Sequence, residues 1–396
     1  MHAPSHRRLR VAIVAASLRI LGGQAIQAQR MLDGWQGHPD VEAWLVPINP
    51  LPPKAFRWLL GIKFARTVIT QLCYWPLLFR EVRHADVVHV FSASYASFLL
   101  SPLPAIVVSK LLNRPVILNY HSGEAPDHLR RSAIARLVLR KWVDGNVVPS
   151  SFLHDVLASF GISATVVPNT VDLTRFAYRV REPLRPLLIS TRQLEPLYNV
   201  SCTLRAFARI QARYPEASLT LVGGGSQERE LRALAEKLEL HNVTFVGWVP
   251  PSEVHRYYEN ADLYVQTPAI DNMPLSMLEA FASGLPVVAT RTGGVPAMLT
   301  DGVHGLLVPD NDDAALASQV ERLIEDPACA HRLAAAARHT SAAYEWPVVA
   351  GQWLAAYQLL ARRTPAPSQE LSRCTAQGLP ERVAAAAEPL SPSEPA

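Results

Sequence analysis

The stretch LYVQTPAIDNMPLSMLEAFASGLPVVA, residues 263–289, decides the fold. Leu263–Gln266 is a short apolar run closed by the turn at Pro268, and Val287–Ala289 is another. Runs of this length, bounded by turn residues, read as buried strands. Between them, Pro274 suits the first turn of a helix, where its missing N–H is no loss. Gly284 suits the C-terminal cap, with Pro286 just past it. The spacing therefore predicts a strand, a helix of about ten residues and a second strand.

The same rhythm runs outward in two sets. Val11–Ala16, Ala43–Val46, Val87–Phe91, Val116–Tyr120 and Gly145–Val148 read as strands of a first sheet. After Pro168-Asn169 and a polar stretch to Pro186, it restarts. Leu187–Ser190, Ser218–Val222, Val243–Val246, Leu263–Gln266, Val287–Ala289 and Gly305–Val308 form a second set. Amphipathic segments lie between, such as Gln227–Leu238, with Leu231, Leu234, Ala235 and Leu238 on one face. Strands alternating with helices predict an α/β protein with parallel sheets and right-handed crossovers. The expected organisation is two Rossmann-like domains, 1–167 and 187–345, joined by a linker at 168–186. A terminal helix at 346–363 then crosses back to the first domain. The Pro-, Ala-, Ser- and Glu-rich tail 364–396 has too few large apolar residues to offset its ordering entropy, which predicts disorder.

With 49% hydrophobic and 18% charged residues among 396, the chain reads as a globular protein large enough for two cores. Its four cysteines, Cys73, Cys202, Cys329 and Cys374, are far apart and beside no His cluster. That pattern excludes a disulfide framework or zinc site and points to a reducing, cytoplasmic compartment. The apolar run behind the basic N-terminus is only strand length, so neither a signal peptide nor a transmembrane helix is expected. Charge is split between the halves: 20 Lys+Arg against 10 Asp+Glu in residues 1–180, and 18 against 24 beyond. Such asymmetry suits a first half facing something anionic, or basic residues solvating helix faces by chance.

In open α/β sheets ligands sit at the carboxyl ends of the strands, so function is sought in the loops that follow them. The helix beginning near Pro274 points its N-terminal amides toward such a site, where the segment Met273, Pro274, Leu275 and Ser276 can hold a diphosphate. Glu279, among Leu278, Ala280 and Phe281, is costly to bury unless it accepts hydrogen bonds. Ribose hydroxyls would supply them; an Arg partner or solvent serves equally well from spacing alone. Gly22-Gly23, His121 and Arg192 each follow a predicted strand. Arg192 offers a planar guanidinium suited to bidentate contact with a diphosphate.

Asp271 to Glu279 resembles the E-x7-E motif of the retaining, glycogen-synthase-like GT-B glycosyltransferases of family four. The likeness extends in motif order over most of residues 9–361. It takes in Gly22-Gly23, Asn119-Tyr120-His121-Ser122-Gly123, Pro168-Asn169-Thr170-Val171-Asp172, Arg192, Val222-Gly223-Gly224-Gly225, Gly247-Trp248-Val249 and Thr292-Gly293-Gly294. The resemblance implies the GT-B fold, two Rossmann-like domains with parallel sheets facing a central cleft. It further implies a nucleoside diphosphate sugar as donor, no separate cofactor and no catalytic metal.

By the same resemblance Glu279 binds the ribose and Asp271 takes the position that contacts the donor sugar ring. His121 lies near the sugar's reacting end, Gly22-Gly23 and Arg192 approach the phosphates, and Gly247-Trp248 reads the base. The Thr292-Gly293-Gly294 turn is expected to serve the fold. Two features depart from the family. The first acidic position is Asp271, so the chain reads D-x7-E. The Lys that follows the family's Arg is absent, the chain continuing Glu195-Pro196-Leu197-Tyr198-Asn199, with Tyr198 as a substitute. A GT-B protein that binds nucleotide-sugar, or a partner enzyme, without turnover is the alternative these departures keep open.

For the acceptor, a glycan or lipid-linked hydroxyl, one surface stands out. Phe56, Trp58, Phe64 and Trp75 lie among Lys54, Arg57, Lys63, Arg66, Arg80 and Arg83, with a second basic run at Arg130-Arg131, Arg136 and Arg140-Lys141. A basic, aromatic-rich amphipathic stretch suits an anionic membrane surface, and ordinary helices packed on the first sheet explain it as well. No nucleic-acid-binding module is present.

Overall fold

The computed structural model describes residues 7–20, 22–92 and 94–362. The tail expected to be disordered, 364–396, and Cys374 lie outside the described residues.

Among the described residues, twelve strands form two six-stranded sheets. The first contains β1 (Leu9–Ala15), β2 (Val41–Pro47), β3 (Val87–Phe91), β4 (Val116–Asn119), β5 (Gly145–Val148) and β6 (Thr165–Val166), in the order β2-β1-β3-β4-β5-β6. The second contains β7 (Leu187–Thr191), β8 (Ser218–Val222), β9 (Val243–Gly247), β10 (Leu263–Gln266), β11 (Val287–Thr290) and β12 (Leu306–Val308), in the order β12-β11-β10-β7-β8-β9. All ladder pairings are parallel.

Sequence and sheet agree because a parallel sheet covered on both faces needs strands apolar throughout. All of β3 and β10 is buried. Alternate residues then feed opposite cores, as strand geometry requires. In β1, Ala12 and Val14 join one cluster, with Tyr74, Leu78 and Phe98. Val11, Ile13 and Ala15 join another, with Trp35 and Phe91. In the second sheet Leu263 and Val265 face one cluster and Tyr264 the other.

The two-residue β6 was not expected, since Thr165–Val166 is too short to make a run. The helix Trp346–Ala361 places Val349, Trp353, Tyr357 and Leu360 in the same core as Val11, Ile13 and Trp35 of the first sheet. No helix among the described residues is long and apolar enough to cross a membrane. Cys73, Cys202 and Cys329 are free thiols.

In each sheet the first strand of the unit lies between neighbours reached in opposite directions: β1 between β2 and β3, β7 between β8 and β10. Such reversals open a crevice beyond the carboxyl ends of the strands.

Candidate functional site

A cleft of about 570 Å³ occupies that position. Its walls are the loops after strands of both sheets: Gly22 and Gly23 after β1, His121–Glu124 after β4, Arg192 after β7, Trp248 after β9 and Ile270–Ser276 after β10. Eleven of the residues expected at the site therefore line one cavity: Gly22, Gly23, His121, Arg192, Trp248, Asp271, Met273, Pro274, Leu275, Ser276 and Glu279. Gly247 differs. It ends β9, where its carbonyl accepts from the Gly223 N–H at 2.9 Å, and it is Gly223 that lines the cleft.

The floor is the helix Leu275–Ala282, whose eight residues are all buried. Pro274 precedes it in an extended conformation, φ −64° and ψ 119°, so the proline is the cap and not the first turn. The helix ends at Gly284, φ +70°, where a Cβ would meet the Tyr178 ring at 2.6 Å. The loop ahead of the helix is held by the Thr292-Gly293-Gly294 turn. Gly294 donates its N–H to the Asp271 carbonyl at 2.9 Å. A Cβ on Gly293 or Gly294 would lie 1.9 or 2.0 Å from the carbonyls of Asp271 and Asn272. These glycines serve close backbone approach, which fixes where the helix N-terminus opens.

Arg192 and Asp271 form an ion pair at the mouth of that helix. Arg192 Nη1 also donates to Ser276 Oγ at 3.1 Å, and the guanidinium lies 4.1 Å over the Tyr198 ring. Burial pushes the guanidinium pKa down, but the Asp271 charge more than offsets it, so Arg192 stays cationic. Tyr198 thus stands beside the arginine as a π-face and not as a second cation.

Glu279 is 6% exposed. Of the partners expected for its carboxylate (ribose hydroxyls, an arginine or solvent), the protein supplies the arginine and adds a tyrosine. Arg30 Nη2 donates to Oε1 at 2.6 Å and the Tyr258 hydroxyl to Oε2 at 3.0 Å. Neither Arg30 nor Tyr258 belongs to any motif the sequence offered.

His121 stacks on Phe91, ring centroids 5.1 Å apart, and Phe91 stacks in turn on His89 at 5.1 Å. Burial lowers the His121 pKa to about 3, so the ring is neutral. His89 is likewise pushed to about 3, by burial first and by His121 second. Its Nδ1 lies 2.7 Å from the Tyr357 hydroxyl of the terminal helix. Two nitrogens along the cleft, His121 Nε2 and Arg192 Nε, are buried with no hydrogen-bond partner among the described residues. Buried polar atoms in this condition are rare and mark where a partner belongs.

Polar contacts also join the two walls. Asn272 bonds to the Ser150 hydroxyl and donates to the His121 carbonyl at 3.4 Å, while Asn169 Nδ2 donates to the Met273 carbonyl at 3.0 Å.

Residues 32–175 match the family described as Glycosyltransferase Family 4. Residues 176–340 match Glycosyl transferases group 1. The chain belongs to the family 4 glycosyltransferases. This glycosyltransferase is 28% identical over 295 residues to a glycogen synthase of Mycobacterium tuberculosis, covering 70% of this chain and 71% of that one. It is 31% identical over 244 residues to the GDP-mannose-dependent alpha-(1-6)-phosphatidylinositol monomannoside mannosyltransferase of Mycolicibacterium smegmatis, covering 56% and 62%. HepE of Anabaena, solved with UDP-glucose, shares the fold, with a TM-score of 0.71 at 17% identity over 89% of this chain and 100% of that one. The two facing parallel sheets of the glycosyltransferase are thus a GT-B architecture.

Proposed function

We propose that this glycosyltransferase moves a sugar from a nucleoside diphosphate donor to an acceptor hydroxyl, with retention at the anomeric carbon and without a catalytic metal. One observation carries the reading: the buried Arg192 guanidinium, with an unpartnered Nε, at the N-terminus of the helix Leu275–Ala282. The bond between the anomeric carbon and the diphosphate oxygen breaks, leaving negative charge on the diphosphate. Arg192 and the helix amides meet that charge with preorganised positive potential. The acceptor oxygen attacks from the same face and its proton passes to the departing diphosphate. Neutral His121, its Nε2 directed at no protein group, contacts the donor sugar, and Glu279 takes the ribose. Closure about residues 168–186 excludes water, which limits hydrolysis of the donor.

Incubation with UDP-, GDP- and ADP-sugars, read by mass spectrometry and by NMR of the product anomer, tests this. Expected are one preferred donor, an axial or equatorial linkage matching that donor, and activity that survives EDTA. Full turnover by both Arg192→Ala and Glu279→Ala would overturn it.

The acceptor is a hydroxyl on a lipid or lipid-linked glycan at the cytoplasmic face of a membrane. The supporting observation is the surface built by residues 54–61 and the helix Lys63–Val82. There Trp58 is 66%, Phe64 81% and Leu72 65% exposed, beside five cations, Lys54, Arg57, Lys63, Arg66 and Arg80, and one carboxylate, Glu81. Exposed apolar surface of this kind marks an interaction site, and its charge suits anionic head groups. The relatives act by name on lipids in several cases, including an alpha-monoglucosyldiacylglycerol synthase of Streptococcus pneumoniae. The second basic run contributes less than its sequence implied: Arg130 and Arg131 pair with Asp127 at 2.7 and 2.9 Å.

A further inference from the structure

The carboxylate of Glu279, in the second half of the chain, is held by a side chain from the first. Arg30 lies on the helix Gly23–Trp35, which opens at the glycine pair after β1. Beyond its bond to Glu279, Arg30 Nη1 donates to the Thr170 carbonyl at 2.8 Å. The Arg30 and Glu279 side chains are only 15% and 9% exposed. One turn earlier Gln27, buried, donates through Nε2 to Thr170 Oγ1 at 3.2 Å and accepts from the Thr170 N–H at 3.2 Å. A single helix face therefore grips the connection between the two sheets and the carboxylate on the far wall of the cleft.

Each carboxylate oxygen of Glu279 has one protein donor and a second lone pair. The group is oriented without being saturated, and it lines the cleft. Two adjacent hydroxyls can complete it. Its charge is also offset, which matters because a bare carboxylate in a water-poor cleft would repel the phosphates of the same ligand.

We propose that Arg30 is a positioning residue for the donor: it orients Glu279 for a ribose diol and ties that orientation to contact between the two halves. The inference rests on the reading of Glu279 as the ribose ligand. Because the coupling is reciprocal, a ligand that uses the oriented carboxylate also tightens the contact between the halves.

The test uses the full chain and compares each of UDP, GDP and ADP with its 2′,3′-dideoxy analogue by calorimetry. The ratio of the two dissociation constants measures ribose recognition, a readout that general loosening of the fold does not move. Wild type is expected to prefer the ribose form, and Glu279→Ala to lose that preference. Arg30→Met is expected to lower the preference roughly tenfold, in line with couplings between residues in contact. Arg30→Lys keeps the charge but not the fork and should fall between. Arg30→Met paired with Glu279→Gln leaves no buried unpaired charge, guards against simple misfolding and should match Glu279→Gln alone. A preference lost in Glu279→Ala but kept in Arg30→Met and Arg30→Lys overturns the role of Arg30 and leaves the donor reading standing. A preference kept in Glu279→Ala, or absent from wild type, overturns both.

Discussion

Every residue of the helix Leu275–Ala282 is buried, whereas of the twenty in Lys63–Val82 only Tyr74, Leu78 and Val82 are. Both are rich in large apolar side chains, so composition does not separate them. What separates them is cover. The first packs between the second sheet and the helix Pro327–Ser341. The second presents one apolar face to the first core and another, with Phe64, Val68, Leu72 and Phe79, to the outside. In the buried helix each side chain answers to the fold, and the carboxylate at its centre is anchored on two sides. The uncovered face meets nothing else among the described residues, and so is free to suit a surface of its own. Donor chemistry is thus built into the architecture, while acceptor chemistry on our reading is carried on the outside.

The contrast breaks first at Arg192. Arg192→Ala should lower kcat by roughly 10²–10³, the usual cost of one preorganised donor, alongside a drop in melting temperature from leaving the Asp271 carboxylate unpaired. A loss below threefold in a donor-turnover assay would deny the buried helix its catalytic part. Next, Phe64→Asp with Leu72→Asp should weaken binding to anionic vesicles by roughly 100-fold or more, since each side chain brings about 1.5–3 kcal/mol of burial. Turnover on a short-chain soluble acceptor should be unchanged, and unaltered sedimentation with vesicles would remove the membrane from the comparison.

A third effect sharpens the buried side. His89 is held neutral, with its pKa at about 3 against the ordinary 6.5. A base whose folded pKa is lowered contributes stability that is complete above the unfolded pKa and is lost as pH falls below it. Between pH 6.5 and 5 the chain should lose about 1.4 kcal/mol per pH unit on this account. The melting temperature should therefore drop on acidification and the slope flatten in His89→Asn; an equal slope in both would rule burial out as the cause. The smallest effect is expected for Tyr198→Leu, which removes the π-face beneath Arg192. It should raise the donor KM roughly three- to tenfold, and no change would mean that the missing family Lys has no replacement there.

Local patterns carried most of the fold. The strands of both sheets other than β6, and the helix stop at Gly284, were legible because period, length and turn chemistry are properties of neighbours in the chain. The cleft was legible because its loops follow strands. Arg30 was not: it meets Glu279 across 249 residues and sits on a helix face that looks ordinary. Tyr258 was hidden in the same way, within the short helix His255–Asn260. The Asp127 pairs with Arg130 and Arg131 are three and four residues apart, so that basic run carried its own explanation. That Gly247 ends β9 and accepts from the Gly223 N–H was not legible, because register between the two segments cannot be read from either alone.

The return of the helix Trp346–Ala361 to the first sheet has a consequence for how the chain is made. Trp353, Tyr357 and Leu360 complete a core whose other members end at Val167. During synthesis the first unit must therefore wait while the second is translated, roughly 10–40 s at 5–20 residues per second. Through that interval Val11, Ile13, Trp35 and Phe91 lack their final cover, so the nascent first half is the part most in need of a chaperone.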